Sequence, residues 1–206
     1  MSKYVVYDLE MCKVPKGAPR EQFGSGSELI QIGAILLDEE YNEIDSFMTY
    51  VKPQFGSLDG FIIKLTGITE DDLRDAPSSK DALEAFLRWM PQDAVMVSWS
   101  GNDEAQIFRE IDGKGIDIPE LEDMLYDSID CQIEFENRID ASRSYSLSEA
   151  LAITDIDCDI AIHDALVDAR NTALLFKKLE LEPVLEMSKY YLSESDMQRY
   201  FKGNLR

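Results

Sequence analysis

The chain has 206 residues, enough for one domain with a sizeable core, and 45% of them are hydrophobic. Its 41 acidic and 20 basic residues give a formal net charge of −21, which argues against a wide basic face for nucleic acid. No run is long enough for a membrane span or for the apolar region of a signal peptide. The three cysteines form no Cys-x-x-Cys pair, which predicts reduced thiols in a cytoplasmic protein.

The first half of the chain alternates short apolar runs with turn residues. Its β-rich runs predict three strands at Tyr4–Asp8, Leu29–Leu37 and Ile44–Val51. The last two are separated by a short turn, which favours a hairpin. Residues 12–28 contain the glycines and prolines of a loop. Apolar residues at helical spacing then predict short turns over 58–78 and an amphipathic helix over 79–89.

The second half predicts alternating strands and helices. Strands are predicted at Ala94–Trp99 and Leu125–Cys131. A first helix is predicted from an N-cap at Asn102 or Asp103 to about Ile111. Two more helices are predicted, one over Leu147–Ile153 with Ser146 as its cap and one that follows His163. Three strands followed by this alternation predict one α/β domain over residues 1–182, with a mixed five-stranded sheet flanked by helices. Residues 183–206 are expected to form a helical extension that packs on the same domain.

Three carboxylates are placed to meet at one edge of this predicted sheet. Asp8 and Glu10 come at the end of the first strand, and Asp103 follows the fourth strand. Sites in open α/β sheets form beyond the carboxyl ends of parallel strands, so neighbouring strands would bring these side chains together. His163 is the only histidine, and it precedes a predicted helix that carries Asp168 about one turn inside.

These residue types suit a metal-dependent phosphodiesterase. Clustered carboxylates repel one another unless cations lie between them, and hard oxygen ligands suit Mg²⁺ or Mn²⁺. Two such ions can bind the attacking water and the leaving oxygen of a phosphodiester, while a histidine accepts the proton. Each piece alone is a weak signal, because 41 acidic residues create acid-x-acid pairs by chance. An acidic cation-binding protein with no nuclease role is the alternative.

The order Asp8-x-Glu10, Asn102-Asp103 and His163 with Asp168 resembles the DEDD exonuclease superfamily, in its histidine-bearing DnaQ-like (DEDDh) branch. Further matching stretches are Ile-Gln-Ile-Gly-Ala-Ile-Leu-Leu-Asp at 30–38, Leu-Thr-Gly-Ile-Thr at 65–69 with Asp-Ala-Pro at 75–77, and His-Asp-Ala-Leu-Val-Asp-Ala-Arg-Asn-Thr-Ala at 163–173. The resemblance implies an RNase H-like fold and 3′→5′ removal of nucleotides as nucleoside monophosphates.

The resemblance also implies a role for each residue of the site. Asp8 bridges two metal ions, Glu10 and Asp168 complete the ligands of the first ion, Asp103 supports the second, and His163 is the general base. The two ions are Mg²⁺ or Mn²⁺. Segments that cradle the terminal nucleotide in the family align with Leu9–Met11 and Leu65–Thr66. The substrate-binding residues predicted in this chain are Leu9, Met11, Lys13, Leu65, Thr66 and Asn102.

Single-stranded RNA or short oligonucleotides are the favoured substrates. Asp-Leu-Glu-Met-Cys at 8–12 and Tyr-Ser-Leu-Ser-Glu-Ala-Leu at 145–151 are similar to the Eri-1-like RNA-trimming subgroup, although Met11 departs from its usual threonine. A DNA-directed exonuclease of the same branch and a non-catalytic interaction module that keeps the fold are the alternatives. The acidic charge also favours a partner that delivers the RNA.

Other candidates for contact with substrate or partners are basic and aromatic. The basic ones are Lys13, Lys16, Arg20, Arg138, Arg143, Arg199, Lys202 and Arg206, and those at 13–20 follow the first metal ligands. Phe23 and Phe55, in predicted loops, are candidates for base stacking. The apolar side chains of 190–201 predict packing on the domain, on a second subunit or on a protein partner.

Overall fold

The computed structural model describes residues 2–157, 163–186 and 188. Five strands form one sheet in the order β3-β2-β1-β4-β5. The strands are β1 (Tyr4–Lys13), β2 (Ser27–Leu37), β3 (Glu43–Tyr50), β4 (Val95–Ser98) and β5 (Ile129–Asp130). The β1–β2 and β2–β3 pairs are antiparallel, and the β1–β4 and β4–β5 pairs are parallel. The predicted mixed five-stranded sheet and the β2–β3 hairpin are confirmed.

Helices cover both faces of the sheet, as expected. In the described residues they are α1 (Ala18–Phe23), α2 (Gly60–Thr66), α3 (Glu70–Leu73), α4 (Ser79–Trp89), α5 (Gly101–Lys114), α6 (Pro119–Tyr126), α7 (Cys131–Arg138), α8 (Leu147–Ile153) and α9 (Ala165–Leu181). The predicted bounds of α4 and α8 are confirmed, and Ser146 caps α8 with a capping box. None of these helices is long and apolar enough to cross a membrane.

Two apolar clusters lie on opposite faces of the sheet, because successive side chains of a strand point to opposite faces. The cluster under α4 and α5 includes Val5, Tyr7, Phe86 and Ile107. The cluster under α7, α8 and α9 includes Val6, Val97, Leu151 and Phe176. Fully burying one large apolar side chain contributes about 1.5–3 kcal/mol, so both layers hold the sheet firmly. Asp8 and Glu10 alternate with Tyr7 and Leu9, which places them on the face covered by α9.

Three predicted boundaries are wrong. The first strand does not end at Asp8 but continues to Lys13, because β2 pairs with it as far as Ser27 despite a register shift after Glu10. The predicted loop over 12–28 therefore contains the end of β1, helix α1 and the start of β2. The predicted strand over 125–131 is strand only at Ile129–Asp130, because helices α6 and α7 occupy its two ends.

The N-cap of α5 also differs from the prediction. Ser100 holds this position, while Asn102 and Asp103 lie inside the first turn, so their side chains are available for other contacts. Cys12 and Cys131 are buried and have free thiols, whereas Cys158 lies outside the described residues. Most of the predicted extension over 183–206 lies outside the described residues, and its packing and partners stay predictions.

Candidate active site

Strand β1 presents Asp8 and Glu10 where its parallel neighbour ends. Only Tyr4–Val6 pair with β4, since β4 stops at Ser98 and the chain turns into α5. From Asp8 onward β1 keeps its pairing with β2, and among the described residues its only further pairing is a single bridge between Lys13 and Ser57. A cleft therefore opens beside Asp8 at the carboxyl end of β4, where sites in α/β sheets are expected.

Helix α5 supplies the third carboxylate from its first turn. Asp103 is buried, and the backbone N–H of Leu9 donates a hydrogen bond to its carboxylate. The start of the helix is held by Asp130, whose carboxylate accepts hydrogen bonds from the N–H of Gly101 (3.0 Å) and of Ile133 (3.0 Å). One aspartate of β5 thus fixes α5 against the sheet and caps α7 as well.

Helix α9 supplies His163 and Asp168 from its N-terminal end. Asp164 is the N-cap and accepts hydrogen bonds from the N–H groups of Leu166 and Val167. His163 directly precedes this cap, as predicted, and its Nδ1 lies 3.9 Å from Oδ2 of Asp168. One ligand atom from each of Glu10, His163 and Asp168 lies within 4.8 Å of the others.

Burial and nearby carboxylates raise the pKa values of all four carboxyl groups. Burial raises the pKa of Glu10 to about 8, and the charges of Asp168 and Asp103 add to it. Burial also raises the pKa of Asp103 to about 7. The pKa of Asp8 is raised well above its ordinary value by burial and by the neighbouring carboxylates. Burial raises the pKa of Asp168, and His163 opposes this shift.

These four carboxylates fit a site for divalent cations. Without a cation these carboxyl groups bind protons more readily than usual, because burial and the neighbouring negative charges disfavour their ionised forms. A divalent cation between them would remove the repulsion and leave them ionised. Oxygen ligands of this kind favour Mg²⁺, Mn²⁺ or Ca²⁺ over softer metals. The residues able to hold such ions are Asp8, Glu10, Asp103 and Asp168.

A cavity of about 820 Å³ opens from this site. Its lining includes Asp8, Asp168, His163 and Asn102, and it continues along Trp99, Gln132, Tyr145, Ser146 and Ser148. No lysine or arginine of the described chain is among its lining residues. The described lining therefore offers apolar, aromatic and hydroxyl contacts beside its carboxylates and His163.

Of the predicted substrate-binding residues, only Asn102 lines this cavity. Leu9 is buried in the core, and the Thr66 hydroxyl is bonded within its own segment, to the carbonyl of Ile62 and the N–H of Ile68. Lys13 forms an exposed ion pair with Asp59 at 2.9 Å. Met11 and Leu65 are half-buried. Substrate binding by these five residues stays a prediction.

The structure adds lining residues that the sequence did not reveal. Trp99, Gln132 and Tyr145 reach the cavity from the end of β4, from α7 and from the segment before α8. No local pattern marks them, because only the packing of these separate elements brings them together. By contrast, Phe23 is buried and stacked on Phe55 with ring centroids 5.3 Å apart, so the prediction of base stacking by Phe23 is wrong.

Solved structures of nucleases have the same fold. The nuclease domain of 3′hExo, a DEDDh family member bound to rAMP, superimposes with a TM-score of 0.75 at 21% identity over 91% of this chain and 96% of that one. The cell-death related nuclease 4 (CRN-4) gives a TM-score of 0.73 at 20% identity, over 87% of this chain and 64% of that one. The predicted RNase H-like fold is confirmed by these likenesses.

Sequence relatives share the same domain. ERI1 exoribonuclease 2 of Danio rerio is 31% identical over 187 residues, which are 78% of this chain and 32% of that protein. DNA polymerase III PolC-type of Caldanaerobacter subterraneus is 26% identical over 200 residues, which are 93% of this chain and 12% of that protein. The chain thus spans a third or less of these relatives. The family model RNase_T, Exonuclease, matches residues 5–176, and the chain belongs to this exonuclease family.

Proposed function

We propose that this protein is a metal-dependent 3′→5′ exonuclease that removes nucleoside 5′-monophosphates from single-stranded RNA or short oligonucleotides. The observation that carries the proposal is the convergence of Asp8, Glu10, Asp103 and Asp168 with the only histidine of the chain around one cleft. Membership of the exonuclease family supports the reaction class.

Two divalent cations, Mg²⁺ or Mn²⁺, are proposed to bind the four carboxylates. When bound, they would supply Lewis acidity for water activation and offset charge on the phosphate. The charges of Asp103, Asp168 and Glu10 all raise the pKa of Asp8, so this carboxylate is close enough to each of them to interact. A carboxylate that interacts with the other three would suit a ligand that two cations share. Glu10 and Asp103 are both buried, so a bound cation would offset negative charges that water solvates poorly.

His163 is proposed to accept the proton of the attacking water. Its side chain is 60% exposed, so the imidazole reaches both the cleft and the solvent that would take the proton away. Asp168 lies 3.9 Å from Nδ1, so the imidazole stands directly beside one of the proposed metal ligands. A positioned general base of this type commonly contributes about 10²–10⁴-fold to the rate.

RNA is the proposed substrate, with DNA as the second candidate. The relative from Danio rerio is named an exoribonuclease, and a solved structure of the same fold concerns 3′-end-specific recognition of a histone mRNA stem-loop by a 3′-exonuclease. The observation favouring DNA is the likeness to a DNA polymerase III of the PolC type. The same fold occurs in exonuclease I of E. coli with single-stranded DNA.

The decisive experiment compares 5′-labelled single-stranded RNA and DNA of one sequence, with Mg²⁺ or Mn²⁺. We expect a ladder that shortens from the 3′ end, disappears with chelator and disappears in Asp8→Asn. His163→Ala should lower the rate about 10²–10⁴-fold, and Glu21→Gln, on the exposed surface of α1, should match the wild type.

Two results would contradict the proposal at different levels. Absence of metal-dependent shortening on both substrates would refute the exonuclease itself. Wild-type rates in His163→Ala would refute only the general base. The ratio of rates on RNA and DNA decides between the two candidate substrates.

A further inference from the structure

Strand β2 lies directly opposite the two carboxylates of β1. In the antiparallel register Gly33 pairs with Asp8, and Gln31 pairs with Glu10. Residues directly opposite in such a pair point to the same face, with Cβ atoms about 4.5–5.5 Å apart. Gln31 and Gly33 therefore lie on the face of the sheet that carries the site and helix α9.

Gly33 lets the first residues of α9 touch the sheet. A Cβ atom at this position would lie 2.1 Å from the backbone nitrogen of Leu166 and 2.2 Å from the carbonyl carbon of Ala165. Such distances are far below van der Waals contact, so a larger residue would push the helix away. The close approach fixes the height of α9 above Asp8.

Gln31 then fastens the same end of the helix by two hydrogen bonds. Its Nε2 donates to the Asp164 carboxylate at 3.1 Å, and its Oε1 accepts from the N–H of Ala165 at 3.1 Å. Gln31 is fully buried, so water cannot replace these bonds when they are lost. The other Asp164 oxygen caps α9 through Leu166 and Val167.

We propose that Gln31 is a positioning residue for the reaction, which holds His163 and Asp168 at a set distance from Asp8 and Glu10. This role rests on the proposed function. His163 is the residue before the clamped Asp164, and the backbone N–H of Asp168 bonds to the carbonyl of Asp164 at 2.9 Å. The side-chain amide of Gln31 thus connects strand β2, which pairs with the carboxylates of β1, to the start of α9, which carries the other site residues.

Loss of the clamp should lower kcat more than it changes KM. A displacement of about 1 Å in a reacting group can cost about 100-fold in rate, and we expect Gln31→Leu to lower kcat about 10- to 100-fold. Gln31→Glu should be at least as harmful, because a carboxylate would then face the carboxylate of Asp164.

A charge-conserving swap provides the rescue. In the combined variant Gln31→Glu, Asp164→Asn, the new carboxylate can accept from the new amide and from the N–H of Ala165. The amide oxygen can still cap Leu166 and Val167. We expect kcat to return to within about threefold of the wild type, since the two changes act on one interaction.

The matched control is Gln106→Leu. Gln106 is also fully buried, but its amide bonds to Ser27 and to Glu110 within a different network. This variant should lower the melting temperature, as Gln31→Leu does, but leave kcat unchanged. A purely structural role of Gln31 would make the two variants behave alike.

Two readouts are independent of activity. The single imidazole of the chain gives one set of NMR signals, which should shift or broaden in Gln31→Leu and return in the combined variant. Amide exchange at residues 165–167 should accelerate in the same pattern. Both can be recorded on the metal-free protein and should stay unchanged in Gln106→Leu.

Separate outcomes overturn separate claims. An active wild type with unchanged kcat, imidazole signals and amide exchange in Gln31→Leu would overturn the positioning role alone. Failure of the combined variant to recover any of these would also overturn it. A wild type that shortens neither RNA nor DNA would overturn the proposed function and this role with it.

Discussion

His163 combines exposure with a place among buried carboxylates. Its side chain is 60% exposed, whereas Glu10 is only 8% exposed and Asp168 lies 3.9 Å away. An accessible imidazole beside carboxylates of raised pKa is the arrangement expected of a functional group, and such groups cluster at active sites. The chain also has no second histidine, so a reagent that modifies imidazole would modify this histidine alone.

Diethylpyrocarbonate should therefore inactivate the enzyme by modifying a single imidazole. The loss of exonuclease activity is expected to follow the absorbance of one modified histidine per chain, and hydroxylamine should reverse both. The residual activity of His163→Ala should resist the reagent. Full activity with His163 completely modified would contradict the role as general base.

A second prediction concerns stability and pH. In the metal-free protein the pKa of Glu10 is about 8, above its ordinary value of 4.5. Between these values the folded chain holds a proton that the unfolded chain has lost, so the free energy of unfolding falls as pH rises. Chemical denaturation should show a loss on the order of 1–3 kcal/mol from about pH 5 to about pH 8.

Glu10→Gln should reduce this pH dependence, because it removes one of the shifted groups. Saturating Mg²⁺ should restore the stability at the higher pH, since bound cations favour the ionised carboxylates. The exposed change Glu21→Gln serves as the control and should leave the slope as it is. A stability that rises over this range would contradict the raised pKa values.

Among the elements of the fold, the first turn of helix α5 is held in place by a residue of strand β5. Asp130 of β5 accepts one hydrogen bond from Gly101 and another from Ile133. Asn102 and Asp103 follow within the same turn of α5. Asp130 therefore sets where the third carboxylate stands, although it is not itself predicted to touch substrate.

Asp130→Ala should destabilise the protein by about 1–3 kcal/mol, because a helix cap and a further backbone bond are lost. The first turn of α5 would also loosen, and we expect activity to fall about tenfold or more. Thermal melting and single-turnover rates measure the two effects. Ser78→Ala removes a comparable cap from α4 and should lower stability alone. Equal activity in both variants would show that Asp130 acts only through stability.

The whole molecule carries a net charge of −21, and this distinguishes it from proteins that hold nucleic acid by basic surfaces. The basic residues predicted to contact substrate are partly neutralised where the structure describes them. Lys13 pairs with Asp59, and Arg143 pairs with Glu149 at 2.6 Å. Attraction for the phosphate backbone should therefore be small at long range.

The salt dependence should consequently differ from that of basic nucleic-acid-binding proteins. Those lose affinity steeply with salt, because each neutralised phosphate releases counterions. Here we expect kcat/KM on a long RNA to stay level or rise between about 50 and about 200 mM monovalent salt, with Mg²⁺ held saturating. A dinucleotide, which carries little charge, should respond less. A steep fall with salt on the long RNA would reveal a cationic binding face.

Much of the fold could be predicted from the chain alone. Helix α4 was predictable because a cap, an apolar stripe and a following proline agree over one short stretch. The end of β1 could not be predicted. Lys13 belongs to the strand because it pairs with Ser27, and no local sequence pattern indicates a partner fourteen positions away. The predicted N-cap of α5 was wrong for a similar reason. Asn102 and Asp103 both suit an N-cap, and only the turn from β4 places Ser100 at that position.

The same division holds for the site. The sequence by itself determined the residue types, because Asp8, Glu10, Asp103, His163 and Asp168 stand in an order and in local contexts that chance does not often produce. Only the tertiary structure decided their neighbours. Gln31 is an ordinary strand residue until α9 packs across β2, and Tyr145 meets the cleft only when α7 and α8 close around it. Residue types and their local spacing can be read directly from the sequence. Contacts between distant segments exist only after the sheet has assembled.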